Sequence, residues 1–166
     1  MKVIYEESFD LNEWFVIIIF VVTAALIWIT PKIFSVIESI AYFVFGFFWG
    51  MFFDHTLSTK PWDFYDVNDN SSYQIIDVLS YAMYGPFSYF FIYLYVRLNI
   101  HGFYNLLYIF IWCCLSLVME WVGVKIGVFH YDKGYNMFWS FPIYAFVQST
   151  QIMFYHLILK KNASES

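Results

Sequence analysis

Residues 14–30 read WFVIIIFVVTAALIWIT, and this stretch decides the fold. It carries no charged side chain, and as an α-helix rising 1.5 Å per residue it would measure about 25 Å. A helix of that length and composition is typical of a chain that crosses the hydrocarbon core of a bilayer. Asp10 and Glu13 precede the apolar run in a pattern that indicates a helix start, with Asp10 as the cap. We therefore predict a first transmembrane helix over residues 14–30.

Further apolar stretches follow along the whole chain. Its composition is 61% hydrophobic, 26% aromatic and only 13% charged, with a mean hydropathy of +0.61. So short a chain could not bury that many apolar side chains in water, whereas in a bilayer the lipid covers the outward faces. The sequence predicts an all-α integral membrane protein, a bundle of five transmembrane helices that forms a single transmembrane domain over residues 1–166. The predicted spans are residues 14–30, 33–53, 73–96, 102–128 and 137–159.

The orientation is predicted from the charges of the connections, although Lys and Arg divide evenly between the two sides and only the acidic residues are concentrated on one. An excess of Lys and Arg marks the cytoplasmic side of a membrane protein. One side of the predicted bundle holds Lys32, Arg97, Lys160 and Lys161. The other side holds Lys2, Lys60, Lys125 and Lys133, together with an acidic outer loop over residues 54–72. We expect the N-terminus outside and the C-terminus in the cytoplasm, in a multi-pass protein of the plasma membrane.

Glu120 is the most informative single residue, because a carboxylate within a membrane span costs at least a few kcal/mol and normally faces protein or water. Spans three and five carry polar side chains at helical spacing, which places each set on one helix face. We predict a buried polar site made of Glu120, Asp77, Tyr81, Tyr84, Ser140, Tyr144 and Gln148. The alternative is that these groups only hold the helices together and fix their register.

The outer loop carries a second candidate site. Asp63, Asp66 and Asp69, with His130 from the loop after span four, offer ligands that could hold a metal ion. The alternative is a solvated acidic loop.

Glycines at 46 and 50 form a small-residue pattern that suits tight packing of helices, and so make a candidate contact for a homo-oligomer.

Several residues resemble a family of uncharacterised multi-spanning membrane proteins from endospore-forming Gram-positive bacteria. The similarity lies in Trp62-Asp63-Phe64-Tyr65-Asp66, in Tyr84-Gly85-Pro86, and in Glu120, Gly127, Tyr131, Trp139, Ser140 and Tyr144 in that order. The resemblance implies a multi-span architecture in a bacterial plasma membrane and draws attention to Glu120, but it implies no reaction.

These patterns leave three functions open. The first is handling of a proton or small cation through the polar interior around Glu120. The second is an enzyme that acts on a lipid or isoprenoid headgroup at the outer interface, and the third is a non-catalytic accessory subunit of a larger membrane partner. The net charge of −5, with only eight scattered Lys and Arg, argues against nucleic acid as a partner. The expected partners are the lipid bilayer and a second copy or a larger membrane protein.

Overall fold

The structure is a computed structural model, and it describes residues 11–67 and 75–165. Five helices make up most of this part of the chain: α1 (Leu11–Ile29), α2 (Val36–Leu57), α3 (Ile75–Arg97), α4 (Tyr104–Lys125) and α5 (Ser140–Glu165). Two three-residue strands, β1 (Tyr65–Val67) and β2 (Phe129–Tyr131), and a 3-10 turn at Met137–Trp139 complete it. The predicted all-helical class is confirmed. The predicted Asp10 cap lies outside the described residues.

Three of the five helices, α1, α2 and α4, are long and apolar enough to cross a membrane. Their outward faces expose large apolar side chains, such as Trp28 at 84% and Ile37 at 80%. Helices α3 and α5 contain more polar residues, and α5 also ends in the polar sequence KKNASE, which lowers the mean hydropathy of both helices. The chain is therefore an all-helical membrane protein with at least these three helices suited to span a bilayer.

The start and end of α2 differ from the prediction. The helix begins at Val36, where Ser35 and Glu38 form a capping box: the Ser35 N–H donates to Glu38 Oε2 at 2.8 Å, and the Glu38 N–H donates to Ser35 Oγ at 3.2 Å. At its other end α2 continues to Leu57. Asp54 therefore belongs to the last turn of a helix and not to the outer loop where the prediction placed it.

The strand pair joins the two loops that were predicted to lie on one side of the membrane. β1 and β2 are antiparallel, with Tyr65 opposite Tyr131 and Asp66 opposite His130. The C-terminal ends of α2 and α4 and the N-terminal end of α3 consequently meet at one end of the bundle, which we call the sheet end. The short connections after α1 and α3 lie at the opposite end.

Helix α3 occupies the centre, with α1 and α2 packed against it. Gly46 and Gly50 of α2 allow its closest contact with α3: a Cβ atom built on Gly46 would lie 2.4 Å from the Tyr84 carbonyl oxygen, and one on Gly50 would lie 2.4 Å from the Tyr84 ring. The face predicted as a candidate homo-oligomer contact is therefore covered by α3 of the same chain, because the two helix backbones can approach only where no side chain separates them.

A cluster of aromatic side chains closes the opposite end of the bundle. It joins four helices through buried residues, and we call it the tyrosine-rich cluster. Its buried members are Tyr42, Phe91, Ile92, Tyr95, Tyr108, Ile152 and Tyr155. Ring centroids in it lie 5.1 to 6.4 Å apart, within the range of favourable aromatic pairs.

Candidate functional site

A cavity of about 240 Å³ lies between the helices in the half of the bundle near the sheet end. All five helices contribute to its wall, with Phe15 of α1 as the contribution of the first helix, and both strands contribute at the sheet end. Most of the lining side chains are aromatic or aliphatic. Two carboxylates, Asp54 and Glu120, also line it. An apolar pocket with a few convergent polar groups is the usual form of a binding site.

Glu120 accepts hydrogen bonds from three hydroxyl groups. Ser140 Oγ donates to Glu120 Oε1 at 2.7 Å, Tyr144 Oη donates to Oε2 at 2.8 Å, and Tyr131 Oη donates to Oε1. The carboxylate is 6% exposed. An ionised carboxylate has about four acceptor positions and no donor, so three hydroxyl donors nearly complete its hydrogen bonding. Three separate parts of the chain, β2, the start of α5 and the next turn of α5, are thus held around one residue of α4.

A fourth hydroxyl extends this network toward the sheet end. Because the Ser140 hydroxyl donates its hydrogen bond to Glu120, the Ser140 Oγ accepts the hydrogen bond from Tyr135 Oη, at 2.9 Å. Tyr131 and Tyr135 both lie in the loop after α4. Burial raises the pKa of Tyr131, and the hydrogen bond to Glu120 raises it further. Burial also raises the pKa of Tyr135. Both phenols therefore remain donors at neutral pH.

Asp54 forms a second polar centre in the same cavity. Tyr81 Oη of α3 donates to Asp54 Oδ2, and Ser58 Oγ donates to Oδ1 at 3.1 Å. Asp54 was not predicted as an interior residue, because the nearby Asp63 and Asp66 made it resemble part of an acidic loop. One signal was available: Asp54 lies four residues after Gly50, on the helix face that packs against α3.

Tyr65 of β1 lies near both carboxylates. Burial raises its pKa well above the usual range, and the charges of Asp54 and Glu120 raise it further. Asp54 and Glu120 come from α2 and α4, and so from distant parts of the sequence. The strand pair therefore brings an aromatic hydroxyl close to two acidic groups that would otherwise be unrelated.

The inner end of the cavity is made of amide and hydroxyl side chains. Gln148 accepts a hydrogen bond from Cys113 Sγ at 3.3 Å and donates to Ser116 Oγ at 3.5 Å. Gln151 Nε2 donates to the Ser88 carbonyl oxygen at 2.7 Å and to Ser88 Oγ at 2.6 Å. Beyond this layer the tyrosine-rich cluster begins, so the cavity ends in the middle of the bundle.

Most of the predicted interior residues do line this cavity. Tyr84, Ser140, Tyr144 and Gln148 share it with Glu120, and Tyr81 lines it while binding Asp54. Asp77 is buried, at 7% exposed, in the first turn of α3, but is not among the lining residues. Tyr131 and Tyr135 were absent from the prediction, because they lie outside the helices whose spacing it used.

The predicted metal ligands do not form one cluster in the described residues. Asp63 Oδ2 pairs with Lys133 Nζ at 2.8 Å, and Asp66 lies opposite His130 in the strand pair. Asp69 lies outside the described residues. Within residues 11–67 and 75–165, no group of three or more His, Cys, Asp or Glu side chains is placed to hold a metal ion.

Neither cavity carboxylate forms an ion pair within 4.0 Å with a basic side chain of the described residues, although the adjacent His55 interacts electrostatically with Asp54. In the described part of the chain the only ion pair within 4.0 Å is the one between Lys133 and Asp63, whose side chains are 45% and 36% exposed. The side-chain hydrogen-bond donors to Glu120 and Asp54 in the described residues are all hydroxyl groups. The site thus combines two acidic groups, hydroxyl donors and an apolar wall.

Comparison of the chain with protein-family models, with curated proteins and with solved structures found no match.

Proposed function

We propose that this chain is a five-span membrane protein that takes up a proton or a small cation from the sheet end and holds it at Glu120. The observation that carries the proposal is a buried carboxylate in a cavity near the sheet end, surrounded by hydroxyl donors and with no basic side chain within 4.0 Å in the described residues. Acidic side chains inside membrane bundles commonly mark ion or proton pathways.

The proposal of five spans has support from the connections. The two strands hold the ends of α2 and α4 together, and the short connections after α1 and α3 lie at the opposite end, as expected when consecutive helices run in opposite directions. Several polar side chains of α3 and α5 line the cavity, among them Ser88, Gln148 and Gln151, and Gln151 donates a hydrogen bond to Ser88. With the sheet end outside, the N-terminus is outside and the C-terminus cytoplasmic, in the plasma membrane.

The hydroxyl network suits proton transfer. A hydroxyl group can donate one proton while accepting another, so the chain from Tyr135 through Ser140 to Glu120 can pass a proton by reorienting its O–H bonds. In the low dielectric of a bundle interior the negative charge of a carboxylate attracts a cation strongly. Phe91 is the member of the tyrosine-rich cluster that lines the cavity, so we place exchange at the sheet end, and passage to the other side would require that cluster to open.

Flux through reconstituted protein tests the proposal. The purified chain in proteoliposomes should relax an imposed proton, sodium or potassium gradient, and Glu120→Gln should reduce the rate at least tenfold. Asp132→Asn is the matched control, because Asp132 is an exposed acid of the sheet end, outside the cavity lining. Absence of flux from the wild-type chain under all three gradients would refute the proposal, as would a normal rate in a correctly folded Glu120→Gln variant.

The same preparations separate the two alternatives. A lipid-headgroup enzyme would change the composition of the reconstituted lipids in a way that depends on Glu120. A non-catalytic accessory subunit would co-purify with one membrane protein, and Glu120→Gln would leave that association unchanged.

A further inference from the structure

The cavity is much larger than a proton or a monatomic ion requires. A site for one water molecule needs only about 10–15 Å³, whereas this cavity measures about 240 Å³. A site built for a bare ion would close its ligands around that ion. Here the space continues from the two carboxylates past apolar side chains to the layer of Gln148 and Gln151. The excess volume indicates a ligand that has an apolar part, its body, in addition to a charged group.

The wall of the cavity suits an apolar body. Phe45, Trp49, Phe87 and Trp112 contribute aromatic rings, and Leu115 and Val147 contribute aliphatic side chains. Water gains little hydrogen bonding from such a surface, and apolar cavities of this kind bind apolar molecules. The aromatic faces also attract positive charge, by about 0.5–2 kcal/mol per cation within about 6 Å of a ring centroid.

The acidic groups lie on two different helices of the same cavity. Asp54 comes from α2 and Glu120 from α4, and both accept hydrogen bonds from hydroxyl donors without an ion pair within 4.0 Å in the described residues. When both are ionised the cavity holds two negative charges, neither of which is in an ion pair within 4.0 Å in the described residues, and the adjacent basic side chain, His55, interacts electrostatically with Asp54. A ligand with one positive charge and no negative charge offsets part of this cost, whereas an anion or a zwitterion would not.

We propose that the cavity binds a monovalent organic cation, an amine or quaternary ammonium compound with an apolar body, whose charged nitrogen lies between Asp54 and Glu120 and whose body lies toward Trp112. This inference rests on the proposed function in that both require Glu120 as the acidic group. It adds the class of ligand and a second carboxylate, and it gives the aromatic wall a role in ligand recognition.

Benzyltrimethylammonium and its uncharged carbon isostere, (2,2-dimethylpropyl)benzene, form a matched pair of probes. They have the same shape, and only the first carries a charge. Binding to the full chain in detergent is measured by titration calorimetry and by the tryptophan fluorescence change expected from the indoles that line the cavity. The cation should bind, and the isostere should bind at least tenfold more weakly.

Variants assign the binding to the cavity. Glu120→Gln and Asp54→Asn should each weaken binding of the cation at least tenfold and leave binding of the isostere within about twofold, since each loses charge and keeps its shape. Trp112→Leu should weaken both probes. Asp132→Asn should weaken neither. Because Glu120→Gln could disturb folding, Asp54→Asn provides an independent variant from a different helix.

The results separate this inference from the proposed function. Equal affinity for the two probes, no binding of the cation, or equal loss in Asp132→Asn and Asp54→Asn would overturn the inference. If proton or inorganic-cation flux still depends on Glu120 in that event, the proposed function stands alone. If the cation binds as described and also blocks the flux, both are supported.

Discussion

Replacing Tyr144 with phenylalanine tests the hydrogen bonding of Glu120 most directly. The change removes one hydroxyl and keeps the ring. Tyr144 Oη donates to Glu120 Oε2 at 2.8 Å and is its only donor in the described residues, whereas Oε1 has two, from Tyr131 and Ser140. Tyr144→Phe therefore leaves one carboxylate oxygen without a donor, while Ser140→Ala leaves each oxygen with one.

The expected loss of stability distinguishes a charged from an uncharged acceptor. A hydrogen bond to a charged group contributes about 1.5–3 kcal/mol. Hydrogen bonds between helices in membrane proteins average about 0.6 kcal/mol. If Glu120 is ionised, Tyr144→Phe should lower the free energy of unfolding by about 1.5–3 kcal/mol. Ser140→Ala should cost less, because Tyr131 continues to donate to Oε1.

The assay is reversible unfolding of the purified protein in mixed micelles with increasing sodium dodecyl sulfate, followed by circular dichroism and tryptophan fluorescence. Tyr104→Phe is the control, because Tyr104 is 61% exposed at the start of α4. It should change the free energy by less than about 0.5 kcal/mol. In a Glu120→Gln background the cost of Tyr144→Phe should fall to about 1 kcal/mol, the value for a neutral pair.

A loss below about 0.6 kcal/mol for Tyr144→Phe would refute the argument, since it would match an average neutral contact in a membrane protein. An unchanged loss in the Glu120→Gln background would also refute it, because the interaction would then not depend on the charge of that residue.

Two further predictions concern packing and pH. Gly46→Ala should lower the free energy of unfolding by about 1–3 kcal/mol, because the new Cβ would meet the Tyr84 carbonyl group, which is part of the helix backbone and cannot move away. Gly50→Ala should cost less, since its Cβ would meet the Tyr84 ring, which can move. A larger loss for Gly50→Ala than for Gly46→Ala in the unfolding assay would contradict this. Burial raises the pKa of Tyr131 above the unfolded value of about 10. Its contribution to stability is therefore complete below about pH 10 and is lost as the pH rises toward the folded pKa, by up to about 1.4 kcal/mol per pH unit. Unfolding measured from pH 9 to 11.5 should show a shallower decline in Tyr131→Phe than in the wild type, and identical declines would exclude Tyr131 as a contributor.

Much of the site could be predicted by helical spacing. Glu120, Tyr144 and Gln148 were predicted as interior residues because an acid in an apolar helix must find partners, and because residues three or four positions apart share a face. Loop residues have no regular spacing from which a shared face can be predicted. Spacing therefore did not place Tyr131 or Tyr135 in the site, although both belong to the network around Glu120; Tyr131 was singled out only by the family resemblance.

Residues 14–30 alone predicted an apolar helix long enough to cross a bilayer, and the structure has α1 at Leu11–Ile29. This prediction was possible because the length of an apolar segment and the polarity of its side chains can be read locally from the sequence. Which faces of the helices meet is not local. Gly46 and Gly50 could have contacted a second copy, and Asp54 could have been a loop residue. Only the tertiary structure placed α3 over those glycines and brought Asp54 and Glu120 into one cavity, because the relative rotation of packed helices depends on all their contacts together.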